Sequence, residues 1–330
     1  PGIDALARDG ITFTQAYTQM SMCSPSRSSY LTGVRPDTTR IVNNKVHFRE
    51  TIPGVVTLPE YFKRIGYHTE GICKVYHSGK DDAQSWSVPH KVAYGPTVPI
   101  GQDGKPLPFA AVNVDESKFG DHRCATLAIK AIEQSADRPF FIAVGFWKPH
   151  LPFLAPPAYF QMYDKNSIPM APNPFRAAGA PSIAFENWGE LRQYSGIPPA
   201  GQYFSEALRR DLKHAYYAST SFVDAQVRRV LAALESAGLS QKTVVVLLGD
   251  HGFHLGEQND WGKHTNFEVG ARVPVIIRAP GKSADQHSDA LIELVDLYPT
   301  IVELAGLAVP DAQQHGGLPL EGDSFAGIVN

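Results

Sequence analysis

Three apolar runs stand out along this chain: Phe140 to Phe146, Thr243 to Leu248 and Val273 to Ile277. Their β-branched, nearly uninterrupted character is that of strands covered on both faces. Apolar residues recur at helical spacing in Cys124 to Ile132 and in Ser205 to Leu234, which Gly238 stops. They do so again in Ile292 to Leu304, where Pro299 predicts a kink. Strands alternating with helices predict a layered α/β fold built on a mostly parallel sheet. In such sheets ligands lie beyond the carboxyl ends of the strands. Gly249-Asp250-His251-Gly252 follows the strongest run and falls at such an end. Two stretches, Ser85 to Asp115 and Met162 to Tyr203, are rich in Pro, Gly and small apolar residues. Loops of that length are usually functional, and both are read as pocket rims that shape substrate choice.

Composition narrows the function classes. The chain has 330 residues and a net charge of -3, so nothing electrostatic argues for nucleic acid. No apolar run reaches membrane-spanning length, and no signal peptide is present in a chain that starts at Pro1. Three cysteines, Cys23, Cys73 and Cys124, do not make a disulfide framework. The chain carries no Asn-x-Ser/Thr acceptor. That favours a bacterial periplasmic or secreted protein over a lysosomal one sorted through N-glycans.

Cys23-Ser24-Pro25-Ser26-Arg27 carries the chemistry. A lone Cys is usually a small buried hydrophobe. A cysteine-based phosphatase needs five residues between Cys and Arg to surround a phosphate. Here only three intervene, and Ser29 stands where that Arg would be. The run continues Ser28-Ser29-Tyr30-Leu31-Thr32-Gly33 and Arg35-Pro36-Asp37-Thr38-Thr39-Arg40. This string resembles the type I, formylglycine-dependent sulfatases, in particular the iduronate-2-sulfatase branch. The resemblance implies an alkaline-phosphatase-like fold with helices on both faces of the central sheet. It also implies that a maturation enzyme oxidises Cys23 to formylglycine, whose hydrate attacks sulfur. Cys73 and Cys124 are then left to pair or to stay free.

Further blocks carry the same resemblance. Asp250-His251, with Phe253-His254-Leu255-Gly256-Glu257 behind it, resembles the metal strand of the family. Asp250 and residue 23 would then be ligands of a divalent cation, calcium or else magnesium. Calcium prefers oxygen, so His251 either binds the metal or donates a hydrogen bond to the hydrate or sulfate. Lys74 and His77 stand three apart in Cys73-Lys74-Val75-Tyr76-His77, as in the iduronate-2-sulfatase branch. Lys74 is an expected anion binder, and His77 an acid or base for sulfate release. His150, closing Val144-Gly145-Phe146-Trp147-Lys148-Pro149-His150, and Lys263, in Asp260-Trp261-Gly262-Lys263-His264-Thr265-Asn266, resemble blocks near the leaving oxygen. One of the two would protonate that oxygen. Lys263 would need its pKa lowered to do so. Trp147 and His264 are candidate sugar-pocket residues, and Trp147 is equally at home in a core.

The implied reaction is hydrolysis of a sulfate ester on a glycan sugar, read as a 2-O-sulfated uronic acid. Cations surround the sulfate: the metal, Arg27, Lys74 and Lys263. The expected partners are a sulfated carbohydrate and the maturation enzyme, with oligomeric state left open. Residues 1–330 read as one catalytic core. The family's first strand with its paired Asp ligands, and its small C-terminal subdomain, lie outside this sequence. Two alternatives are a phosphonate or phosphate ester hydrolase of the same superfamily and a non-catalytic sulfoglycan-binding relative.

Overall fold

A computed structural model describes residues 1–187, 189–282 and 284–329. Eight strands are present among them: β1 (Ile11–Tyr17), β2 (His68–Cys73), β3 (Phe109–Ala111), β4 (Phe140–Gly145), β5 (Phe153–Ala155), β6 (Val245–Leu248), β7 (Arg272–Arg278) and β8 (Gln286–Glu293). Four of them form a sheet in the order β6-β7-β1-β8, in which β1 and β8 are parallel and β7 runs antiparallel to both β1 and β6. The pairs β2-β4 and β3-β5 are parallel. The architecture is mixed α/β, with both pairings in the central sheets.

All three apolar runs become strands, but not equally covered ones. β7 lies inside its sheet, and Val275 and Ile277 are fully buried there. Every residue of β4 and β6 is half-buried. Among the described residues each of these two pairs on one side only, so each is an edge and its apolar side chains are covered on one flank. The core joins Phe13, Ile277, Leu294, Leu297 and Phe325, with β4 and β6 packed against it through Ala143, Val246 and Leu248.

The expected helices are present with shifted ends. Cys124 to Ile132 lies inside helix Gly120–Gln134. The long amphipathic stretch is helix Glu206–Ser236, opened by Ser205, whose hydroxyl accepts from the Leu208 amide. The stretch read as one kinked helix from Ile292 is corrected by the structure. β8 runs to Glu293, and the helix spans only Leu297–Leu304. Pro299 therefore sits in the first turn, where its missing N–H has no helical partner to lose, and it causes no kink. Among the described residues no helix is long and apolar enough to cross a membrane.

Candidate active site

The site forms where the carboxyl ends of β1, β2, β4 and β6 meet. After β1 the Ser21 hydroxyl donates to the Thr265 carbonyl (2.7 Å), and helix Cys23–Thr32 begins directly behind it. Cys23 opens that helix, so its side chain stands at the positive end of the helix dipole. All ten residues of the helix are buried although most are polar. Two of their hydroxyls are answered from inside: Ser26 donates to the Asp250 carbonyl, and Thr32 to the Ser28 carbonyl. Arg27 crosses from this helix to two other elements. Its Nε donates to Asp250 Oδ2 (2.9 Å), and its Nη1 donates to the Lys74 and Val75 carbonyls.

β2 and β4 deliver Lys74 and His150. Cys73 adopts φ 60°, which turns the chain, and the Lys74 amide donates to the Gly145 carbonyl (2.8 Å). A Cβ at Gly145 would lie 1.9 Å from the Lys74 oxygen, so only glycine fits this crossing. A disulfide joins Cys73 to Cys124 of helix Gly120–Gln134, which settles the pairing left open by the sequence. Lys74 Nζ comes within 3.9 Å of Cys23 Sγ and lies 5.9 Å over the Trp147 ring. His77 is among the groups that lower the Cys23 thiol, while its buried Nδ1 has no hydrogen-bond partner among the described residues.

Asp250 and His251 follow β6. The His251 Nδ1 faces the Gly252 carbonyl at 2.7 Å, and a carbonyl only accepts. Nδ1 therefore carries a proton, and Nε2 faces Cys23 Sγ, 3.2 Å away. Gly252 is needed because a Cβ there would meet the Val269 carbonyl oxygen at 2.0 Å. Cys23, Asp250 and His251 each offer a ligand atom, all within 4.8 Å of one another. This set fits one side of a divalent cation's shell. With sulfur and nitrogen in it, it is not the all-oxygen shell that calcium prefers. Replacing the sulfur by hydroxyl oxygens brings it closer to one.

His150 and Lys263 also meet, with Lys263 Nζ 3.3 Å from His150 Nε2. Both contact Glu190, a residue the sequence reading did not single out. Its Oε2 accepts from Lys263 (2.9 Å), and its Oε1 lies 3.1 Å from His150 Nε2. Nothing local marks Glu190 beyond its place in the Met162 to Tyr203 stretch. Lys148 is a second such residue. It is half-buried, with Nζ donating to the His150 and Pro152 carbonyls. Of the expected residues, Arg27, Lys74, Trp147, His150, Asp250, His251 and Lys263 line one cleft, and Cys23 and His77 do not. His264 lies apart, in an adjoining recess with Trp261, Glu186 and Gly262, and its Nδ1 is 3.7 Å from Glu186.

The electrostatics follow from crowding charges in a buried place. Burial pushes the Cys23 thiol up. The neighbouring His150, His251 and His77 and the Lys74 charge outweigh it, and hold the thiol well below its ordinary value. Burial likewise opposes ionisation of Asp250, yet Arg27 and His251 bring it down to about 2. Lys74 is lowered by burial, with Arg27 and Lys263 adding to the effect. Lys148 is brought to about 8 by burial, against the pull of Asp121. Burial acts on Lys263 in the same sense, but the charges of Cys23 and Glu190 hold it above its ordinary value. The lowering that Lys263 would need as the proton donor is therefore opposed while those anions face it. The cleft as a whole is cationic, with Arg27, Lys74, Lys148 and Lys263 against Asp250 and Glu190. It is built to receive an anion.

The sequence profile of the sulfatase family matches residues 1–307. The chain is 33% identical over 359 residues to iduronate 2-sulfatase of Mus musculus, and 34% identical over 359 residues to that of Homo sapiens. Each alignment covers 94% of this chain and 65% of the relative. A sulfatase of Formosa agariphila is 30% identical over 330 residues, covering 93% of this chain and 64% of that protein. The chain thus spans just under two thirds of the length of these relatives. Two solved structures show the same fold. One is the phosphonate monoester hydrolase of Silicibacter pomeroyi, with a TM-score of 0.78 and 23% identity, covering 100% of this chain and 71% of that one. The other is a protein solved with its substrate D-glucosamine-2-N,6-O-disulfate, with a TM-score of 0.77 and 23% identity, covering 100% of this chain and 74% of that one. With the family profile matched over most of its length and relatives of 30% identity or more aligned over nearly all of it, this chain belongs to the sulfatase family.

Proposed function

We propose that the protein hydrolyses sulfate esters of a glycan sugar, with Cys23 converted to formylglycine. One observation carries the reading. A buried Cys at a helix N-terminus meets Lys74, His251 and Asp250, far apart in sequence, beside a cationic cleft that His150 and Lys263 also line. A uronic acid sulfated at the 2-position is the proposed sugar, supported by the relatives of 33% and 34% identity, which are iduronate 2-sulfatases.

The roles follow from position. Lys74, with its ammonium 3.9 Å from the sulfur of Cys23, binds a sulfate oxygen as a point charge. Arg27 anchors the Asp250 carboxylate and ties it to the Lys74 backbone, so cation and anion sites hold one geometry. Asp250, His251 and residue 23 would hold a divalent cation, calcium or magnesium. When bound, it supplies positive charge against the sulfate and makes a hydroxyl at position 23 more acidic. The hydrated aldehyde supplies one hydroxyl to attack sulfur and a second whose collapse expels sulfate, which a serine lacks. His150 or Lys263 protonates the departing sugar oxygen. His77, one of the groups that lower the Cys23 thiol, takes the proton as sulfate is released. Trp147 at the cleft wall and His264 in the recess flank the sugar. The disulfide supports a periplasmic or secreted location, because such bonds persist in oxidising compartments.

The test is the mass of the tryptic peptide Asp9 to Arg27 from the natural host. An aldehyde in place of the thiol is expected, and an intact thiol would sink the mechanism. Turnover of aryl sulfate against aryl phosphate then separates a sulfatase from a phosphate ester hydrolase.

A further inference from the structure

Glu190 stands where the cleft opens into the adjoining recess. It lines both, together with Leu151, Phe253 and Lys263. The anion end of the cleft holds Arg27, Lys74 and Asp250, whereas the recess holds Trp261, Gly262 and His264. A sulfated sugar seated across the junction would bring its ester oxygen to the Lys263–His150 pair. The position of Glu190 is held from behind. Leu191, next in the chain, is 1% exposed and packs in a cluster with Leu151, Phe153, Leu212 and Trp261.

Three groups close a triangle there. Glu190 touches Lys263 at 2.9 Å and His150 at 3.1 Å, and Lys263 and His150 are 3.3 Å apart. The Lys263 side chain is 4% exposed, so its ammonium needs partners inside the protein. The Glu190 carboxylate is the anion in contact with that ammonium, and it fixes Lys263 Nζ beside His150 Nε2. The His150 ring is also oriented. Its Nδ1 faces the Leu151 carbonyl at 2.6 Å, so Nδ1 carries a proton and Nε2 is the nitrogen turned to Glu190 and Lys263.

We propose that Glu190 is a positioning residue for departure of the sugar: its carboxylate holds Lys263 and His150 together at the leaving oxygen. The proposal rests on the sulfatase reading above. In the step concerned, the bond from sulfur to the sugar oxygen breaks and its electron pair stays on that oxygen. The oxygen takes one proton from the Lys263–His150 pair. A new sulfur–oxygen bond forms from the hydroxyl at position 23, whose proton passes to water. Glu190 touches neither sulfur nor sugar oxygen and acts only through its two neighbours.

A leaving-group series tests this with the full-length protein, made in a host that converts Cys23. The kcat/KM values of wild type, Glu190→Gln, Glu190→Asp and Glu190→Ala are measured on 4-nitrophenyl sulfate, phenyl sulfate and a sugar 2-O-sulfate. A good leaving group needs no proton and a sugar alcohol does. The Gln variant should stay within about threefold of wild type on 4-nitrophenyl sulfate and lose about 10²-fold on the sugar sulfate. Glu190→Asp should recover part of that loss. An equal loss across the series in folded Gln and Ala variants would mean a structural role, and no loss would mean none. Either result overturns the proposal while leaving the sulfatase reading intact. A wild-type protein with converted Cys23 that cleaves none of the three esters would overturn both.

Discussion

Arg27 shows how much a single residue carries in this site. Its guanidinium is buried against Asp250, and burial alone would lower its pKa, yet the Asp250 charge holds it above its ordinary value. Removing one member of such a pair leaves the other charge buried and unanswered. Arg27→Met should therefore cost about 3–5 kcal/mol in urea unfolding, because Asp250 is stranded. A loss under about 1 kcal/mol, the value of an exposed pair, would mean that solvent reaches Asp250. Residues of this kind are legible in sequence because their spacing is local: Cys23 and Arg27 lie on one helix, and Asp250 and His251 are adjacent. Glu190 was not legible. Its partners are 40 and 73 residues away, and a lone Glu in a long irregular stretch carries no pattern.

Among the elements, the turn after β2 is the most constrained. It is pinned by the Cys73–Cys124 disulfide on one side and by the Gly145 crossing on the other, and Lys74 comes directly out of it. Cross-linking residues 51 apart restricts the unfolded chain. The double variant Cys73→Ser, Cys124→Ser should lose about 2–4 kcal/mol. It should also lower kcat/KM on sulfate esters, because Lys74 is released from its place. Thermal unfolding and kinetics on the same preparation read both effects. Lower stability with unchanged kinetics would show that Gly145 alone aims Lys74. At this scale, the runs from Phe140, Thr243 and Val273 announced β4, β6 and β7, since apolar continuity is a property of the segment itself. β1 and β2 were not announced. Their polar residues Thr12, Thr14, Gln15, Thr69 and Glu70 interrupt the pattern, and buried Thr69 and Glu70 are answered by Ser85, His68 and Lys91.

Across the whole molecule, buried charge couples stability to pH. Glu70 in β2 sits between Lys91 and His68, with 3% of its side chain exposed. Burial opposes its ionisation, but Lys91 and His68 together hold its pKa below the ordinary 4.5. A depressed folded value means the stabilisation is fully present above the unfolded value. It is lost as pH falls through the folded one. The gap in unfolding free energy between wild type and Glu70→Gln should thus be constant above about pH 5 and shrink below about pH 4.5. Urea titrations across that range check it. A gap that widens on acidification would mean that Glu70 is already protonated in the fold.

By itself the sequence determined the class of protein and its main chemical parts: an α/β chain with the sulfatase string at Cys23 and blocks at Lys74, His150, Asp250 and Lys263. These are short-range facts, because neighbouring residues and local periodicity decide them. Only the tertiary structure decided that four strand ends bring these blocks around one cationic cleft. It alone paired Cys73 with Cys124, placed His264 in a separate recess, and set Glu190 between Lys263 and His150. The reason is physical. Contacts between residues tens to hundreds of positions apart depend on how sheets and helices pack, and no local pattern encodes that packing.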